Sequence, residues 1–259
     1  MLNMKIVYGP VSSWRLGKSL GIDLICSEKK ICSFDCIYCQ LGRQSITTTN
    51  RQDFISMDEL NKEVIHILKK VSPDVITFSG MGEPTIAKNL DQAIRTLRKI
   101  TNAPLAILTN STLMNNKDVI ESLFKLDIVV AKLDASNENL FQEINQPADN
   151  ISFKETIESI KNFKNTYSGR LNIQTMFMNN NINYAKEIAN VVSKIEPFEV
   201  QINTPLRPCS IKPLTDQQLA LMEKEFKDKD LNTISVYTST KPKTSPLDKM
   251  ELLKRRRSE

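Results

Sequence analysis

Long apolar runs are absent from this 259-residue chain, and so is the pattern of a secretory signal at its start. No stretch approaches the roughly 18 consecutive apolar residues that a membrane-spanning helix needs. Residues 1–6 carry no extended hydrophobic core. We therefore expect a cytoplasmic protein with no membrane partner. Its 40% hydrophobic and 25% charged residues are the balance of an ordinary globular domain.

Aromatic residues are few, at 6% of the chain, and no segment interleaves basic and aromatic side chains as an RNA-reading sheet does. The net charge is +5, but residues 241–259 alone hold seven Lys or Arg against three Asp or Glu. Residues 1–240 are therefore nearly neutral, and their charge does not predict a nucleic-acid groove. We expect a core domain over residues 1–240 and a basic, mobile tail over residues 241–259, which ends in the arginine run 254–257.

Histidine occurs once in the chain and cysteine five times. A secreted disulfide framework would spread an even number of cysteines along the sequence, whereas Cys32, Cys36 and Cys39 crowd into eight residues. In a reducing cytosol such closely spaced thiols indicate metal ligands or redox groups. His66 falls on the polar face of a predicted helix among lysines, and we interpret it as a solvated surface residue.

Apolar segments alternate with helical patterns along most of the chain. Two capping boxes, Ser56 with Glu59 and Ser152 with Glu155, predict helix starts. Near-continuous apolar strands that alternate with helices are typical of a parallel sheet covered by helices. Six such units are fewer than the eight of a closed barrel. The sequence predicts an α/β fold, a partial (β/α)6 barrel with mostly parallel strands and a short C-terminal extension, with strands at residues 21–25, 74–79, 105–109, 127–133, 171–177 and 198–203.

The three clustered cysteines have the spacing C-x3-C-x2-C. Three thiolates serve three irons of a 4Fe–4S cluster, whereas a fully ligated cluster takes four cysteines. An open coordination position is typical of catalytic metal centres. The alternative is a non-catalytic zinc-binding module, which would need a fourth Cys or His from elsewhere, such as Cys26 or His66.

With Tyr38 before the last cysteine, this loop resembles the signature of the radical S-adenosylmethionine (SAM) superfamily. The resemblance implies that Cys32, Cys36 and Cys39 bind a 4Fe–4S cluster and that SAM chelates the unligated iron. It further implies an oxygen-sensitive enzyme that cleaves SAM with one electron and uses the resulting 5′-deoxyadenosyl radical on a substrate. Such cofactors carry the chemistry, and the protein binds, orients and shields them.

Glycine is scarce, with seven residues in the chain, yet two of them fall in the hexapeptide at residues 79–84. Glycine allows a tight turn and a close approach to a ligand. The hexapeptide resembles the Gly-Gly-Glu-Pro turn that hydrogen-bonds the SAM amino group in the superfamily, with Met81 in place of the second glycine. The resemblance implies a cofactor-binding set of Tyr38, Ser79, Gly80, Gly82, Glu83 and Pro84.

Polar residues occur where the predicted strands end, and in an α/β barrel the carboxyl ends of the strands face the active site. The resemblance implies that the fourth and fifth strand ends meet the SAM ribose and that the sixth meets its adenine. Lys132 and Asp134 are predicted to pair, because an unpaired buried lysine is costly, and the pair is either structural or catalytic. The predicted mouth comprises Thr109, Asn110, Lys132, Asp134, Gln174, Gln201 and Asn203.

Longer matches at residues 7–10, 15–21, 39–42, 108–111, 132–135 and 201–208 look like the wyosine-synthase-related group of the superfamily, in a short form without the cysteine triplet of a second cluster. The group implies a transfer-RNA base as substrate, and a small molecule or a peptide is the alternative. Arg15, Lys18 and Arg207 are candidate phosphate contacts.

A flavodoxin or ferredoxin is the expected electron donor. Cys209 is either a free loop thiol or a hydrogen donor.

Overall fold

The computed structural model of the protein describes residues 4–43 and 45–256, and its centre is one eight-stranded sheet. A separate pair of short strands carries the first of the clustered cysteines. The strands are β1 (Val7–Ser13), β2 (Gly17–Ile22), β3 (Lys30–Cys32), β4 (Ser45–Thr47), β5 (Val75–Phe78), β6 (Leu105–Thr109), β7 (Ile128–Lys132), β8 (Arg170–Met176), β9 (Glu199–Asn203) and β10 (Thr233–Ser235).

The large sheet has the strand order β1-β2-β5-β6-β7-β8-β9-β10 and curls into a half-barrel. From β2 to β10 every neighbouring pair is parallel, and β1 alone pairs antiparallel, with β2. The predicted α/β fold with a partial, mostly parallel barrel is thereby confirmed. The β1–β2 hairpin was not predicted, since the Gly-Pro pair inside β1 weakens a strand signal.

Helices connect successive strands and cover the outer face of the sheet. Ser56 and Ser152 cap α1 and α5, each by accepting a hydrogen bond from a backbone N–H at 3.2 Å. In the described part of the chain, no helix combines the length and apolar character needed to cross a membrane. The helices are α1 (Met57–Leu68), α2 (Leu90–Ile100), α3 (Lys117–Leu123), α4 (Glu138–Asn145), α5 (Phe153–Thr166), α6 (Ala185–Ser193), α7 (Asp216–Lys227) and α8 (Lys249–Leu253).

Helix α4 was not predicted, and it supports the cysteine loop. Asn137 caps it by accepting a hydrogen bond from the Leu140 N–H at 3.0 Å. Its apolar residues, among them Leu140 and Phe141, are buried. The helix ends at Asn145, directly beside the residues between Cys32 and Cys39.

The C-terminal segment, residues 241–256, lies against the half-barrel. The backbone N–H of Leu247 donates to the Gly9 carbonyl at 2.8 Å, and the Ser12 hydroxyl donates to the Pro242 carbonyl. Helix α8 buries Glu251, and Arg255 is only 3% exposed. The expectation of a mobile tail is corrected for these residues, because charges that looked solvated in the sequence are buried and paired. Arg257 lies outside the described residues, and the domain boundary at residue 240 stays a prediction.

Arg255 is held by an ion pair with Asp23, which follows β2 and is 1% exposed. The guanidinium Nε donates to Asp23 at 2.9 Å, and a second nitrogen donates to the Glu251 carbonyl at 3.0 Å. Its carbon centre lies 4.4 Å from the centroid of the Tyr8 ring. Asp23 also accepts from the backbone N–H groups of Ile25, Cys26 and Met81, so one carboxylate connects the C-terminal segment to the glycine turn and to the residues ahead of the cysteine loop.

We expect Arg255→Leu to lower the free energy of unfolding by about 3–5 kcal/mol, because it leaves the Asp23 carboxylate buried without its partner. Urea unfolding followed by circular dichroism measures the change. The matched control is Arg95→Leu, which removes an exposed ion pair with Asp91 and should change stability by less than about 1 kcal/mol. A loss at Arg255 no larger than that of the control would contradict the anchoring role.

Candidate active site

A cavity of about 650 Å³ opens at the carboxyl ends of the strands, and all three clustered cysteines line it. Cavities of this size are typical of small-molecule and cofactor sites. Most of the predicted site residues reach this one space. Those that line it are Cys32, Cys36, Tyr38, Cys39, Gly82, Glu83, Thr109, Asn110, Lys132, Gln174 and Asn203.

Backbone hydrogen bonds to the end of α4 fix the course of the cysteine loop. The N–H of Asp35 donates to the carbonyl of Asn145, and the N–H of Ile37 donates to that of Ile144, both at 3.0 Å. Apolar packing supports them, since the rings of Phe34 and Phe141 meet edge to face with centroids 5.3 Å apart. The loop is therefore ordered by the protein itself.

Two asparagine amides point at cysteine sulfurs. Asn110 Nδ2 lies 3.6 Å from Cys32 Sγ, and Asn145 Nδ2 lies 3.5 Å from Cys36 Sγ. Hydrogen bonds to the ligating sulfurs are one of the features that set the reduction potential of an iron–sulfur cluster. Asn145 escaped the sequence analysis because it ends a helix that was not predicted. An asparagine cap such as Asn137 was the available signal for that helix.

Burial and lysine side chains set the electrostatics around the thiols. Burial raises the pKa of Cys36 to about 11, and the nearby charge of Lys132 acts against this rise. Burial likewise raises the pKa of the Cys32 thiol. Lys30, itself buried, lines the same cavity and pairs with Asp35. A cationic group that enters here would stabilise the thiolates, which are the form that binds metal.

Within residues 4–43 and 45–256, no three His, Cys, Asp or Glu side chains form a group that could hold a single metal ion. The three thiols instead surround one cavity, and the charges of Cys36 and Cys39 both act on Cys32. In a cubane cluster each cysteine binds a different iron. Three thiols of one cavity, each directed at the same space, fit such a cluster.

The glycine turn and the cysteine loop are joined backbone to backbone. Ile31 donates to the Met81 carbonyl and accepts from the Glu83 N–H, both at 3.0 Å. Gly82 has φ of +149°, and a Cβ at this position would lie 1.6 Å from the Ile31 carbonyl oxygen. Only glycine fits there, which is why the turn can place Glu83 next to Cys32.

Glu83 is 2% exposed, and neighbouring donors satisfy its carboxylate. It accepts hydrogen bonds from the hydroxyls of Thr85 and Thr109 at 2.7 Å and from the Asn110 N–H at 2.6 Å. Burial raises the pKa of this carboxyl, and these hydrogen bonds act in the opposite direction. Glu83 thus ties the glycine turn to the end of β6.

Lys132 and Asp134 form the predicted pair at the end of β7, with Lys132 Nζ 3.3 Å from Asp134 Oδ2. The Lys132 nitrogen also lies 4.6 Å from the centroid of the Tyr38 ring. Asp134 accepts from the Tyr38 hydroxyl and, at 2.9 Å, from Asn145 Nδ2. Burial acts to lower the pKa of Lys132, but the charge and hydrogen bond of Asp134 together with the charges of Cys36 and Cys39 outweigh it, and the pKa is raised.

Several predicted residues lie behind the cavity wall. Asp134 is buried under Lys132 and supports Tyr38, so it does not itself line the cavity. Ser79 hydrogen-bonds the Tyr8 hydroxyl at 2.7 Å, and Gly80 packs against Asp23. Pro84 is buried at the start of a 3-10 turn, Pro84–Ile86. These four residues surround the cavity without lining it, and their roles stay predictions.

Gln201 departs most clearly from its predicted place at the mouth of the cavity. It pairs in register with Gln174 of β8, but it is fully buried and its amide donates to Glu199 at 2.9 Å. It does not line the cavity, which corrects its predicted place. Gln174 does line the cavity, and its Nε2 is buried with no hydrogen-bond partner among the described residues. A buried donor of this kind is costly unless a ligand accepts from it.

One part of the cavity wall was only partly anticipated. Trp14, Arg15 and Arg207 line it, together with Arg256 of the C-terminal segment. Lys18 does not line the cavity, and its backbone N–H donates to Asp74. Cys209 does not line it either, and its thiol donates to the Ile211 carbonyl at 3.4 Å. The predicted basic tail thus supplies a wall of the site.

The family model described as the radical SAM superfamily matches residues 30–192. A UPF0026 protein, slr1464 of Synechocystis, is 40% identical over 212 residues, which are 80% of this chain and 77% of that protein. A Brachyspira hyodysenteriae protein named GTPase Obg is 35% identical over 97% of this chain. This chain spans only 38% of the length of the Brachyspira protein.

Solved structures share the fold at low sequence identity. A radical SAM methyltransferase from Sphaerobacter thermophilus has a TM-score of 0.64 at 14% identity, over 85% of this chain and 66% of that one. Native anSMEcpe with bound AdoMet has a TM-score of 0.64 at 17% identity, over 85% and 64%. TYW1 with a lysine-pyruvate adduct has a TM-score of 0.54 at 19% identity, over 81% and 73%.

We expect Gly82→Ala to destabilise the protein by more than the roughly 1–3 kcal/mol that a glycine-only backbone conformation costs another residue. The added Cβ would also collide with the Ile31 carbonyl. Thermal and urea unfolding measure the loss. Gly42→Ala is the control, since Gly42 has φ of +83° but an added methyl group would meet no non-neighbouring atom within 4 Å. Equal losses in the two variants would contradict the role given to the close approach.

Proposed function

The chain belongs to the radical SAM superfamily, and we propose that it cleaves SAM reductively at a 4Fe–4S cluster bound by Cys32, Cys36 and Cys39 to start radical chemistry on a second molecule. The family match agrees with the resemblance that the cysteine and glycine motifs indicated. One observation carries the proposal: three buried or half-buried thiols share one cavity with the edge of the glycine turn.

The residues present fit both the 4Fe–4S cluster and SAM. The three thiols provide three ligands, which leaves one iron of a cubane without a protein ligand. Gly82 brings bare backbone to the cavity, and Gln174 offers an amide donor without a protein partner among the described residues. The chemistry that the two groups supply when bound is a one-electron cleavage of the SAM carbon–sulfur bond, which yields methionine and a 5′-deoxyadenosyl radical.

The chain's own side chains then have distinct roles. Asn110 and Asn145 donate to the ligating sulfurs and so influence the potential at which the site accepts an electron. Lys132 adds positive charge beside Cys36, while Asp134 and the Tyr38 ring hold its ammonium group in place. We propose that Lys132 acts on the molecules bound in the cavity and that Asp134 holds the Lys132 side chain in position. Asn203 and Thr109 complete the polar lining.

The second molecule is proposed to enter the same cavity, which Trp14 and Leu206 also line. A transfer-RNA base is the substrate that the wyosine-synthase-related motifs favour. A small molecule or a peptide is the alternative, and it is favoured by the near-neutral charge of residues 1–240. Comparison of modified nucleosides and metabolites between wild-type cells and Cys39→Ala cells separates the two classes.

We expect Cys36→Ala to abolish formation of 5′-deoxyadenosine after anaerobic reconstitution with iron and sulfide, because the cluster loses one of its three ligands. Wild-type protein should hold about four irons and four sulfides per chain, the content of one cubane. Iron and sulfide analysis measures the cluster, and chromatography of the products with dithionite and SAM measures cleavage.

Cys209→Ala is the matched control for this experiment. It removes a thiol that does not line the cavity, and it should keep both the iron content and the cleavage of SAM. Full cleavage by the Cys36→Ala protein would refute the proposal. One bound zinc with no sulfide in wild-type protein would favour the non-catalytic zinc module instead.

We propose that a low-potential flavodoxin or ferredoxin reduces the site. We expect wild-type protein with SAM to form 5′-deoxyadenosine when reduced flavodoxin or ferredoxin is added, and to form essentially none when the donor is omitted. Product yield under anaerobic conditions with and without the donor measures the difference. Undiminished turnover without any donor protein or chemical reductant would contradict this partner.

A further inference from the structure

Three arginines line the same cavity, and we propose that Arg15, Arg207 and Arg256 bind a phosphate group of the substrate. This inference rests on the proposed function, because it assigns a chemical class to the second molecule of the same site. The cavity is the one that holds Cys32, Cys36 and Cys39.

The three side chains come from separate parts of the chain. Arg15 lies in the turn between β1 and β2, Arg207 follows β9, and Arg256 lies just beyond α8. Such a convergence depends on the fold and not on a local basic run. The Nε atoms of Arg15 and Arg256 are buried, and neither has a hydrogen-bond partner within residues 4–43 and 45–256. Buried donors in native proteins are nearly always paired, so these two Nε atoms indicate that a bound ligand supplies the acceptor.

No carboxylate compensates their charges in the part of the chain that the structure describes. Burial, together with the charge of Arg207, lowers the pKa of Arg15 to about 10. Desolvation by the surrounding protein and the charge of Arg256 act in the same direction on the pKa of Arg207, although its side chain keeps contact with solvent. The three guanidinium groups repel one another, and a bound anion would remove this penalty.

Most of the other charged groups of the cavity are already matched, and the exception is Lys241, which also lines it and forms no ion pair among the described residues. Lys30 pairs with Asp35, and Lys132 pairs with Asp134. Glu83, which lines the cavity as well, is occupied by hydrogen bonds from its own neighbourhood. The three guanidinium charges and the Lys241 ammonium group together exceed what one carboxylate neutralises. A phosphate carries up to two negative charges and enough oxygens for several guanidinium donors.

The arginines are held next to the cysteine loop. Arg207 donates to the Gln40 side-chain oxygen at 2.6 Å, and Gln40 directly follows Cys39. The Gln40 amide in turn donates to the Arg255 carbonyl at 3.2 Å, which fixes the residue before Arg256. The buried Arg255–Asp23 pair anchors the same segment. A phosphate bound here would place the molecule that carries it beside the iron-binding loop.

The test is isothermal titration of the full-length protein, with cluster reconstituted, at fixed ionic strength. The probes are inorganic phosphate, adenosine 5′-monophosphate, bulk transfer RNA, acetate and SAM, each titrated separately. The variants are Arg15→Gln, Arg207→Gln and Arg256→Gln. Arg95→Gln is the matched control, since Arg95 lies on α2 and pairs with Asp91. Arg207 is solvent-exposed, so its variant is expected to fold even if another does not.

We expect wild-type protein to bind phosphate and the nucleotide, and each of the three variants to weaken that binding by about tenfold or more, as for a lost charged hydrogen bond. Arg95→Gln should leave it within twofold. A parallel loss of transfer-RNA affinity would identify RNA as the source of the phosphate, and a loss confined to the nucleotide would identify a small substrate. Either outcome supports the site.

Three outcomes would overturn the inference: no phosphate binding by the wild type, unchanged affinity for every phosphate probe in Arg207→Gln, or acetate binding as tight as phosphate. An equal loss of SAM affinity in the variants would also overturn it, because the arginines would then hold the cofactor. Formation of 5′-deoxyadenosine by the wild type with dithionite is measured separately. Absence of 5′-deoxyadenosine would count against the proposed function, and the phosphate-binding result would be judged separately.

Discussion

The contact between Gly82 and the Ile31 carbonyl is the constraint on which the site depends. Two segments that are about 50 residues apart in the sequence run so close together there that no side chain fits between them. The two hydrogen bonds between Ile31 and the glycine turn then fix the distance from Cys32 to Glu83. The first cysteine and the bare backbone of the turn therefore face the same cavity, and the rest of the cysteine loop is positioned from this point.

Asp23 joins that unit to the remainder of the protein. It accepts from the Met81 N–H of the turn and from the Ile25 and Cys26 N–H groups ahead of the cysteine loop. Its partner Arg255 comes from the end of the described chain, so the C-terminal segment closes over the side of the half-barrel that carries β1. A buried ion pair of this kind contributes little net stability over apolar packing, but loss of one partner is costly. Its effect here is to fix where the segment lies.

The charged groups that line the cavity are unevenly paired. Lys30 and Lys132 each have a carboxylate partner, and two asparagine amides point at cysteine sulfurs. Three guanidinium groups of the same cavity share no carboxylate among the described residues. The first arrangement suits ligands that are held permanently. The second suits an anion that arrives and leaves, since its charge is compensated only while it is bound. This uneven pairing is the basis of the proposed phosphate site.

The sequence by itself indicated the family and the partial barrel, and it showed the clustering of the three cysteines, because these follow from local spacing and from the alternation of apolar segments. It also placed Glu83, Thr109 and Lys132, since residues after parallel strands share one edge of a sheet. The tertiary structure alone decided the rest. Gln201 was predicted at the cavity mouth, but it is buried and donates to Glu199. Asn145 reaches Cys36 from a helix that has a weak sequence signal. The basic C-terminal segment becomes a wall of the site, because a charge run has the same appearance in sequence whether it is solvated or paired with a buried carboxylate more than 200 residues away.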